Sequence, residues 1–192
     1  FLALFYFYPL ASILTLSFAR NEGSFIEPFR RAFQSQTILR ITGFTLWQAA
    51  LSTLLTLALG LPGAYLLARY DFRGKSLLQA LAGIPFVMPT LVVAAAFYAL
   101  LGPRGWVNLL LMRLLGLDSP PLEVINTLYA ILIAHVFYNT TIVLRMVGDY
   151  WSHLDPRLIQ AARALGSTPW GAFRKVTLPL LMPSMAAAAL LV

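Results

Sequence analysis

Five long stretches of this chain carry no charged side chain, and they limit its possible folds more than any other feature. A helix needs about 20 apolar residues to cross the hydrocarbon core of a bilayer. The first four stretches are long enough to cross, and we interpret the fifth as a crossing that the end of the sequence interrupts. The stretches are 1–19, 41–68, 76–103, 124–144 and 176–192. They predict an all-α integral membrane protein with about five spans.

Composition excludes several other classes of protein. Charged residues make up 11% of the 192 residues, whereas soluble domains contain about 25%. The chain has no cysteine and only two histidines, His135 and His153, which excludes disulfides, thiolate chemistry and multi-histidine metal centres. The net charge of +7 does not predict nucleic-acid binding, because the basic residues lie in short gaps between apolar runs.

The gaps between the stretches carry a charge bias that indicates orientation. With five crossings, 69–75 and 145–175 lie on one side of the membrane and together carry eight Lys or Arg residues. The gaps 20–40 and 104–123 lie on the other side and together carry six. The positive-inside rule therefore favours a cytoplasmic location for 69–75 and 145–175.

Both ends of the sequence lie inside apolar runs, so we interpret the chain as a segment of a longer polypeptide. The third gap also contains an apolar stretch, 106–115, which is too short to cross a bilayer. We predict an interfacial or periplasmic helix there, ended by Pro120 and Pro121.

The fourth gap contains the most informative pattern. Asp155 is a suitable N-cap, Pro156 fits the first helical position, and Gly166 suits the left-handed residue that follows a helix end. Thr168 and Pro169 then repeat the start signal. The pattern predicts two short, rigid helices joined by a tight turn.

Two interpretations of these helices follow from the pattern. In one, they are amphipathic helices that lie flat on the bilayer surface, which predicts a lysine-rich polar face. In the other, they contact another protein. The small residues Ala161, Ala162 and Ala164 favour the second, because they allow another backbone to approach closely.

The spacing in this gap resembles the Glu-Ala-Ala loop of ABC-importer permease subunits. The family pattern is Glu-Ala-Ala, three residues, Gly, nine residues, Ile, one residue and Leu-Pro. Here the matching positions, at the same spacings, are Gln160, Ala161, Ala162, Gly166, Val176, Leu178 and Pro179. Gln160 replaces the usual glutamate, which puts a charge interaction of that residue in doubt, and Val176 replaces isoleucine.

The resemblance covers about residues 45–192. The run 45–69 is similar to the helix that opens the type I (MetI-like) permease domain. The segments 85–90 and 134–139 are similar to parts of the thiamine and ferric-iron permease group, and 1–19 resembles the additional first helix of that group.

These similarities imply a domain organisation. Residues 1–40 would form an additional transmembrane helix with a periplasmic linker, and residues 41–192 an ABC importer permease domain of the helical-bundle type. The coupling loop would occupy 149–179 on the cytoplasmic side.

The resemblance also implies how such a chain works. The loop would dock on a cytoplasmic ABC ATPase dimer, which binds ATP and Mg, so this chain would have no catalytic residue, metal or bound cofactor and would not be an enzyme. Further implied partners are a periplasmic or extracellular substrate-binding protein, a second permease domain in the same chain or a second copy, and membrane lipid. The implied location is the bacterial inner membrane, as a multi-pass protein.

The resemblance assigns roles to residues of the loop. We hypothesise that Leu158, Leu165 and the small residues beside them fill a groove on the ATPase, while Trp170 and Phe173 brace the loop against the bundle. The proposed coupling residues are Leu158, Gln160, Ala161, Ala162, Leu165, Gly166, Trp170, Phe173, Val176, Leu178 and Pro179.

Polar and kinking residues within the spans form a second candidate set. Each proline removes a backbone donor and kinks its helix, which indicates either a fixed shape or a gate. Polar groups in the fourth span indicate either helix–helix hydrogen bonds or the lining of a translocation path, and His135 alone is expected to be an interhelical donor. The candidates are Pro85, Pro89, Thr90, His135, Asn139 and Thr140.

For the substrate, the resemblance favours thiamine or its phosphates, then ferric iron, with sulfate, molybdate, polyamine and sugar as alternatives.

Two other classes of protein are alternatives to an ABC permease. A secondary transporter would carry ionisable residues inside its spans, and a membrane enzyme would carry a nucleophile–base pair or a metal cluster. The five uncharged stretches count against the secondary transporter, and the lack of a His-Glu-x-x-His motif counts against the enzyme. The lack of a phosphate-binding glycine loop indicates that ATP hydrolysis belongs to a partner.

Overall fold

The computed structural model describes residues 1–20, 30 and 33–192, and no β-strand occurs among them. Three helical stretches are long and apolar enough to cross a membrane: Gln36–Arg69, Leu128–Ser152 and Thr90–Leu115, the last of which consists of two helices joined by a turn over 102–105. The chain is therefore an all-α membrane protein, as the sequence predicts. Most of the predicted linker over 20–40 lies outside the described residues.

Residues 1–47 form one compact unit. A π-helical segment, Ala3–Phe7, leads into helix α1, Tyr8–Arg20. The first predicted span is thus helical, although its apolar helical part, Ala3–Leu16, is shorter than a usual crossing.

Helix α2, Gln36–Arg69, contains the whole predicted span over 41–68. A short turn then leads to helix α3, Lys75–Val87. In that turn, Lys75 Nζ donates a 2.8 Å hydrogen bond to Asp71 Oδ1. This hydrogen bond, and then the charge of Lys75, hold the pKa of the Asp71 carboxyl below its usual range.

The predicted single span over 76–103 is wrong, because the structure divides it into α3 and helix α4, Thr90–Leu101. Met88 has an extended backbone with ψ 134°, and a residue that precedes proline is driven away from the helical region by the proline ring. Pro89 therefore ends α3, whereas Pro85 stays inside it.

Helix α5, Trp106–Leu115, confirms the short apolar helix. Its predicted end at Pro120 and Pro121 is wrong. The helix ends at Gly116, which has φ +65°, a left-handed conformation that only glycine adopts without strain.

The remaining helices build the part of the chain that contains the loop. Helix α6 covers Leu128–Ser152 and helix α7 covers Pro156–Ala164. They are followed by α8, Pro169–Ala172, a π-helical turn, Phe173–Thr177, and α9, Leu178–Leu191.

The second helix of the loop is not a separate short element, which corrects the sequence prediction. From Pro169 to Leu191 the backbone is helical without a break. Leu178 N–H donates to the Phe173 carbonyl five residues earlier. Pro179 has no amide hydrogen and so removes one backbone bond from the helix, and it lies directly after this wider π turn.

Helices α2, α6 and α9 share the buried core. A Cβ atom at Gly60 would lie 2.7 Å from the Cβ of Val143, so only glycine allows α2 and α6 to approach this closely. Gly60 therefore permits the close packing of these two helices. The buried core residues are Ala64, Val143, Val147, Trp151, Leu181 and Ala188.

Candidate functional site

Helix α7 begins with the predicted cap. Asp155 Oδ1 accepts a 2.8 Å hydrogen bond from Arg157 N–H, and Pro156 occupies the first helical position. A side-chain cap of this kind contributes about 1 kcal/mol to helix stability. The start of the coupling helix is therefore fixed by its own residues.

The end of α7 is fixed by a Schellman motif. Ser167 N–H donates to the Ala162 carbonyl at 3.1 Å, and Gly166 N–H donates to the Arg163 carbonyl at 3.0 Å, which are the two bonds that define this motif. Gly166 has φ +86°, as the sequence predicts for the residue after the helix. Thr168 Oγ1 then accepts from Gly171 N–H at 3.1 Å and caps the next helix.

Helix α7 presents two different faces. Leu158 and Leu165 are exposed, at 47% and 88% of their surface, and the neighbouring Ala161 and Gly166 are also exposed. Ile159 is half-buried and faces the cavity described below.

Stacked aromatic rings connect the loop to the bundle. Trp170 stacks on Phe173 with ring centroids 5.4 Å apart, and Phe173 stacks on Trp151 at 6.1 Å. Trp151 in turn lies 5.2 Å from the ring of Tyr65 on α2. Such aromatic pairs contribute about 0.5–1.5 kcal/mol each beyond their buried area.

A cavity of about 730 Å³ lies between α7 and the ends of α2 and α6. Its polar lining consists of Tyr65, Arg69, Trp151, Gln160 and Arg163, together with the Thr177 hydroxyl. No carboxylate lines it, and no described carboxylate lies within ion-pair distance of either arginine. The cavity is therefore apolar over most of its wall and cationic at its polar positions.

The other loop residues of the family pattern lie on the continuous helix. Val176 and Leu178 are half-buried, and Pro179 is exposed directly after the π turn. They lie where the loop joins α9, so the structure places all of the proposed coupling residues on one connected segment.

His135 bonds to a neighbouring helix. Its Nδ1 atom lies 3.1 Å from Nε2 of Gln48 on α2. Because an amide nitrogen can only donate, His135 accepts this interhelical bond and is not the donor that the sequence analysis expects. Ser52 and Thr56 continue the buried polar line of α2 at four-residue intervals, and their hydroxyl oxygens are buried without a hydrogen-bond partner among the described residues.

The other polar groups of α6 also bond to protein. Asn139 Nδ2 donates to the Val192 carbonyl at 3.2 Å, and Thr141 donates to the Ala82 carbonyl on α3. Thr140 donates at 2.6 Å to a carbonyl of its own helix. Helix–helix hydrogen bonding therefore accounts for Asn139 and Thr141, and a path-lining role stays a prediction.

The two prolines lie in different surroundings. Pro85 is buried inside α3, while Pro89 and Thr90 are exposed where α3 ends and α4 begins. The structure does not bring these three residues together with His135 in a described cavity.

Several residues were missed by the sequence reasoning. Trp151 and Arg69 had a detectable signal, since an aromatic and a basic residue at span ends mark the membrane interface. Asn108 had none. It is fully buried and makes three hydrogen bonds of 2.9 Å, to the Gly102 carbonyl and to both backbone groups of Leu122.

Comparison with known proteins agrees with this architecture. Residues 57–192 match the family described as binding-protein-dependent transport system inner membrane component. The sulfate transport system permease protein CysT of Escherichia coli is 33% identical over 143 residues, which cover 74% of this chain and 50% of that protein.

Two further relatives carry other substrates in their names. The spermidine/putrescine transport system permease protein PotB of Haemophilus influenzae is 28% identical over 197 residues, covering 100% of this chain and 68% of the relative. A probable molybdenum ABC transporter permease protein of Haloferax volcanii is 31% identical over 180 residues, covering 93% of this chain and 60% of the relative.

The chain spans about half to two thirds of the length of these relatives. Their names support the permease resemblance, but not the narrower resemblance to thiamine and ferric-iron permeases. The family match covers more than half of the described helices, including the whole loop. This chain belongs to the family of binding-protein-dependent transport system inner membrane components.

Proposed function

We propose that this chain is a permease subunit of a binding-protein-dependent ABC importer, and that residues 155–179 couple its bundle to a separate ATPase. The observation that carries the proposal is the construction of the loop. Helix α7 is capped at both ends, and the next helix runs without a break from Pro169 into α9. A segment of this kind transmits force rather than performing catalysis.

The exposed face of α7 is the proposed docking surface. Leu158 and Leu165 are large apolar side chains in contact with solvent, and Ala161 and Gly166 between them allow a close approach by a partner. This interpretation requires a cytoplasmic location for the loop, which the charge bias favours.

The docking surface is tested by retention of the ATPase. We expect Leu165→Ser to reduce the amount of cognate ATPase that copurifies with the permease, because it removes an exposed apolar contact at the interface. Leu114→Ser is the matched control, since Leu114 is 71% exposed on α5, away from the loop. Equal retention in both variants would contradict the proposed surface.

The aromatic stack is the proposed route from the loop to the bundle. We expect Phe173→Leu to leave the ATPase bound but to weaken substrate-stimulated hydrolysis, because it removes the ring between Trp170 and Trp151. Phe137→Leu is the control, since Phe137 makes an edge-to-face contact with Phe97 at a centroid distance of 5.5 Å, outside the loop. Normal stimulation in Phe173→Leu would show that the stack does not carry the coupling.

For the substrate we infer a tetrahedral oxyanion such as sulfate or molybdate. The names of two of the three relatives support this class, whereas the third is a spermidine/putrescine permease; the charge of the chain favours the oxyanion. Within α2, α4 and the stretch 128–148 there is no acidic side chain, whereas a path for a polyamine cation would need negative charge. Asn139 and His135 are hydrogen-bonding groups suited to an uncharged path.

The substrate class is tested with the transporter reconstituted together with its binding protein. We expect sulfate, molybdate or tungstate to stimulate ATP hydrolysis, and spermidine, thiamine and Fe(III) to fail. Stimulation by spermidine, thiamine or Fe(III) alone would replace the oxyanion with that substrate.

A further inference from the structure

The cavity between α7 and the ends of α2 and α6 shares Gln160, Trp170 and Phe173 with the proposed coupling set, but it also contains two arginines that the coupling role does not use. Arg69 and Arg163 line it without a carboxylate partner among the described residues. Buried Nη2 of Arg69 and buried Nε1 of Trp151 also have no hydrogen-bond partner there. Buried donors in native proteins are nearly always satisfied, so these two groups are available to bind a group from outside these residues.

Gln160 supplies no counter-charge to the arginines. It lines the same cavity as Arg69 and Arg163, and it stands at the position where the resembled loop pattern has glutamate. A glutamine offers hydrogen bonds but no negative charge. The cavity is therefore a cationic site whose negative partner comes from elsewhere.

The rest of the wall indicates what kind of anion fits. The apolar lining residues include Leu61 and Pro62 of the membrane-spanning helix α2, and Ile159 and Phe173 of the loop. Arg69 is the last residue of α2, which places it at the depth where a span leaves the hydrocarbon core. A ligand with an anionic head and an apolar body matches both parts of the wall.

We propose that this cavity binds an anionic phospholipid, with its phosphate on Arg69 and Arg163 and its acyl chain along Leu61 and Pro62. Arginine suits this role because its planar guanidinium binds phosphate oxygens in pairs. The bound lipid supplies the negative charge that Gln160 does not. This inference requires only that α2 ends at the membrane surface, and it stands independently of the ATPase and of the transported substrate.

The test is a lipid titration of the purified transporter in detergent, without nucleotide, read by native mass spectrometry. Dioleoylphosphatidylglycerol is compared with dioleoylphosphatidylcholine, which has the same chains and a zwitterionic head. We expect the anionic lipid to bind more tightly. Arg69→Gln should weaken its binding by roughly tenfold, the size expected for one charge-assisted hydrogen bond.

Two further variants sharpen the test. Gln160→Glu places a carboxylate beside the arginines, on a helix face that tolerates either side chain. It should therefore also weaken the binding of the anionic lipid. Trp151→Phe removes the N–H but keeps an aromatic side chain, so it should reduce the affinity; because Trp151 is buried in the core, the melting temperature of the lipid-free variant is measured alongside. Arg73→Gln is the matched control, because Arg73 is an exposed arginine near Arg69 that does not line the cavity.

Three results would overturn the proposal. Equal affinity for the two lipids would exclude recognition of the anionic head. An equal loss in Arg73→Gln and Arg69→Gln would show attraction to the general surface charge. Binding of inorganic phosphate with the same dependence on Arg69 as the lipid shows would make this a site for a free anion.

Discussion

The turn after α7 gives the sharpest quantitative prediction, because the free-energy cost of replacing its glycine can be separated from side-chain contacts. Gly166 has φ +86°, and a Cβ atom there would meet nothing within 4 Å. Gly166→Ala therefore changes only backbone energetics. A left-handed alanine costs about 1–2 kcal/mol, and the lower entropy of the opened chain offsets about 0.4–1 kcal/mol of this. The net destabilisation is about 1 kcal/mol.

Hydrogen exchange of the turn measures this energy directly. The Ser167 and Gly166 amides donate the two bonds of the motif, so they exchange when the turn opens. A loss of about 1 kcal/mol raises their exchange roughly fivefold. Gly166→Asn should raise it less, because asparagine tolerates the left-handed region better.

A matched glycine supplies the control. Gly43 lies inside α2 with an ordinary helical backbone and nothing within 4 Å of its Cβ position. Gly43→Ala should therefore slow local exchange, since alanine is favoured over glycine in a helix interior by roughly 0.5–1 kcal/mol. If Gly166→Ala left exchange unchanged, or if alanine were better tolerated there than asparagine, the reasoning about the turn would be wrong.

Two further predictions concern the bundle. Gly60→Ala should lower the melting temperature of the purified protein by several degrees. The new methyl group overlaps Val143, and overpacking of this kind costs about 1–3 kcal/mol. An unchanged melting temperature would show that α2 and α6 separate freely. Asn108→Ala should make the Leu122 amide hydrogen exchange quickly with solvent, because the substitution removes three hydrogen bonds worth about 0.5–1.5 kcal/mol each. If this amide were as protected from exchange as in the parent protein, packing alone would hold the segment.

The local signals in the sequence predicted the loop well because their causes are local. Asp155, Gly166 and Thr168 act on backbone groups within a few residues, and each makes the predicted bond or adopts the predicted conformation. The position of Gly60 was also predictable, since a small residue in an apolar helix favours close packing.

The predicted helix ends were wrong where two local signals competed. Pro85 and Pro89 look alike in sequence, yet α3 continues through the first and ends before the second. Both Gly116 and Pro120 can end a helix, and the glycine comes first along the chain. The cavity was not predictable, because Arg69, Trp151 and Gln160 meet only after three helices have packed.

The π turn between the loop and α9 was equally hidden from the sequence, and it leads to a last prediction about how the loop is oriented. A π turn holds one extra residue, and one residue rotates an α-helix by about 100°. Pro179→Ala restores the missing amide hydrogen, so the turn can become regular α-helix and rotate the loop relative to α9. Leu165 and Leu190 are both exposed, and the chain has no native cysteine. Spin labels attached to the variant Leu165→Cys, Leu190→Cys should then report an altered distance between the two labels. Pro183→Ala, inside α9 beyond the π turn, should leave that distance unchanged. If the two proline variants gave the same distance as the parent chain, packing around Phe173 rather than Pro179 would set the orientation of the loop.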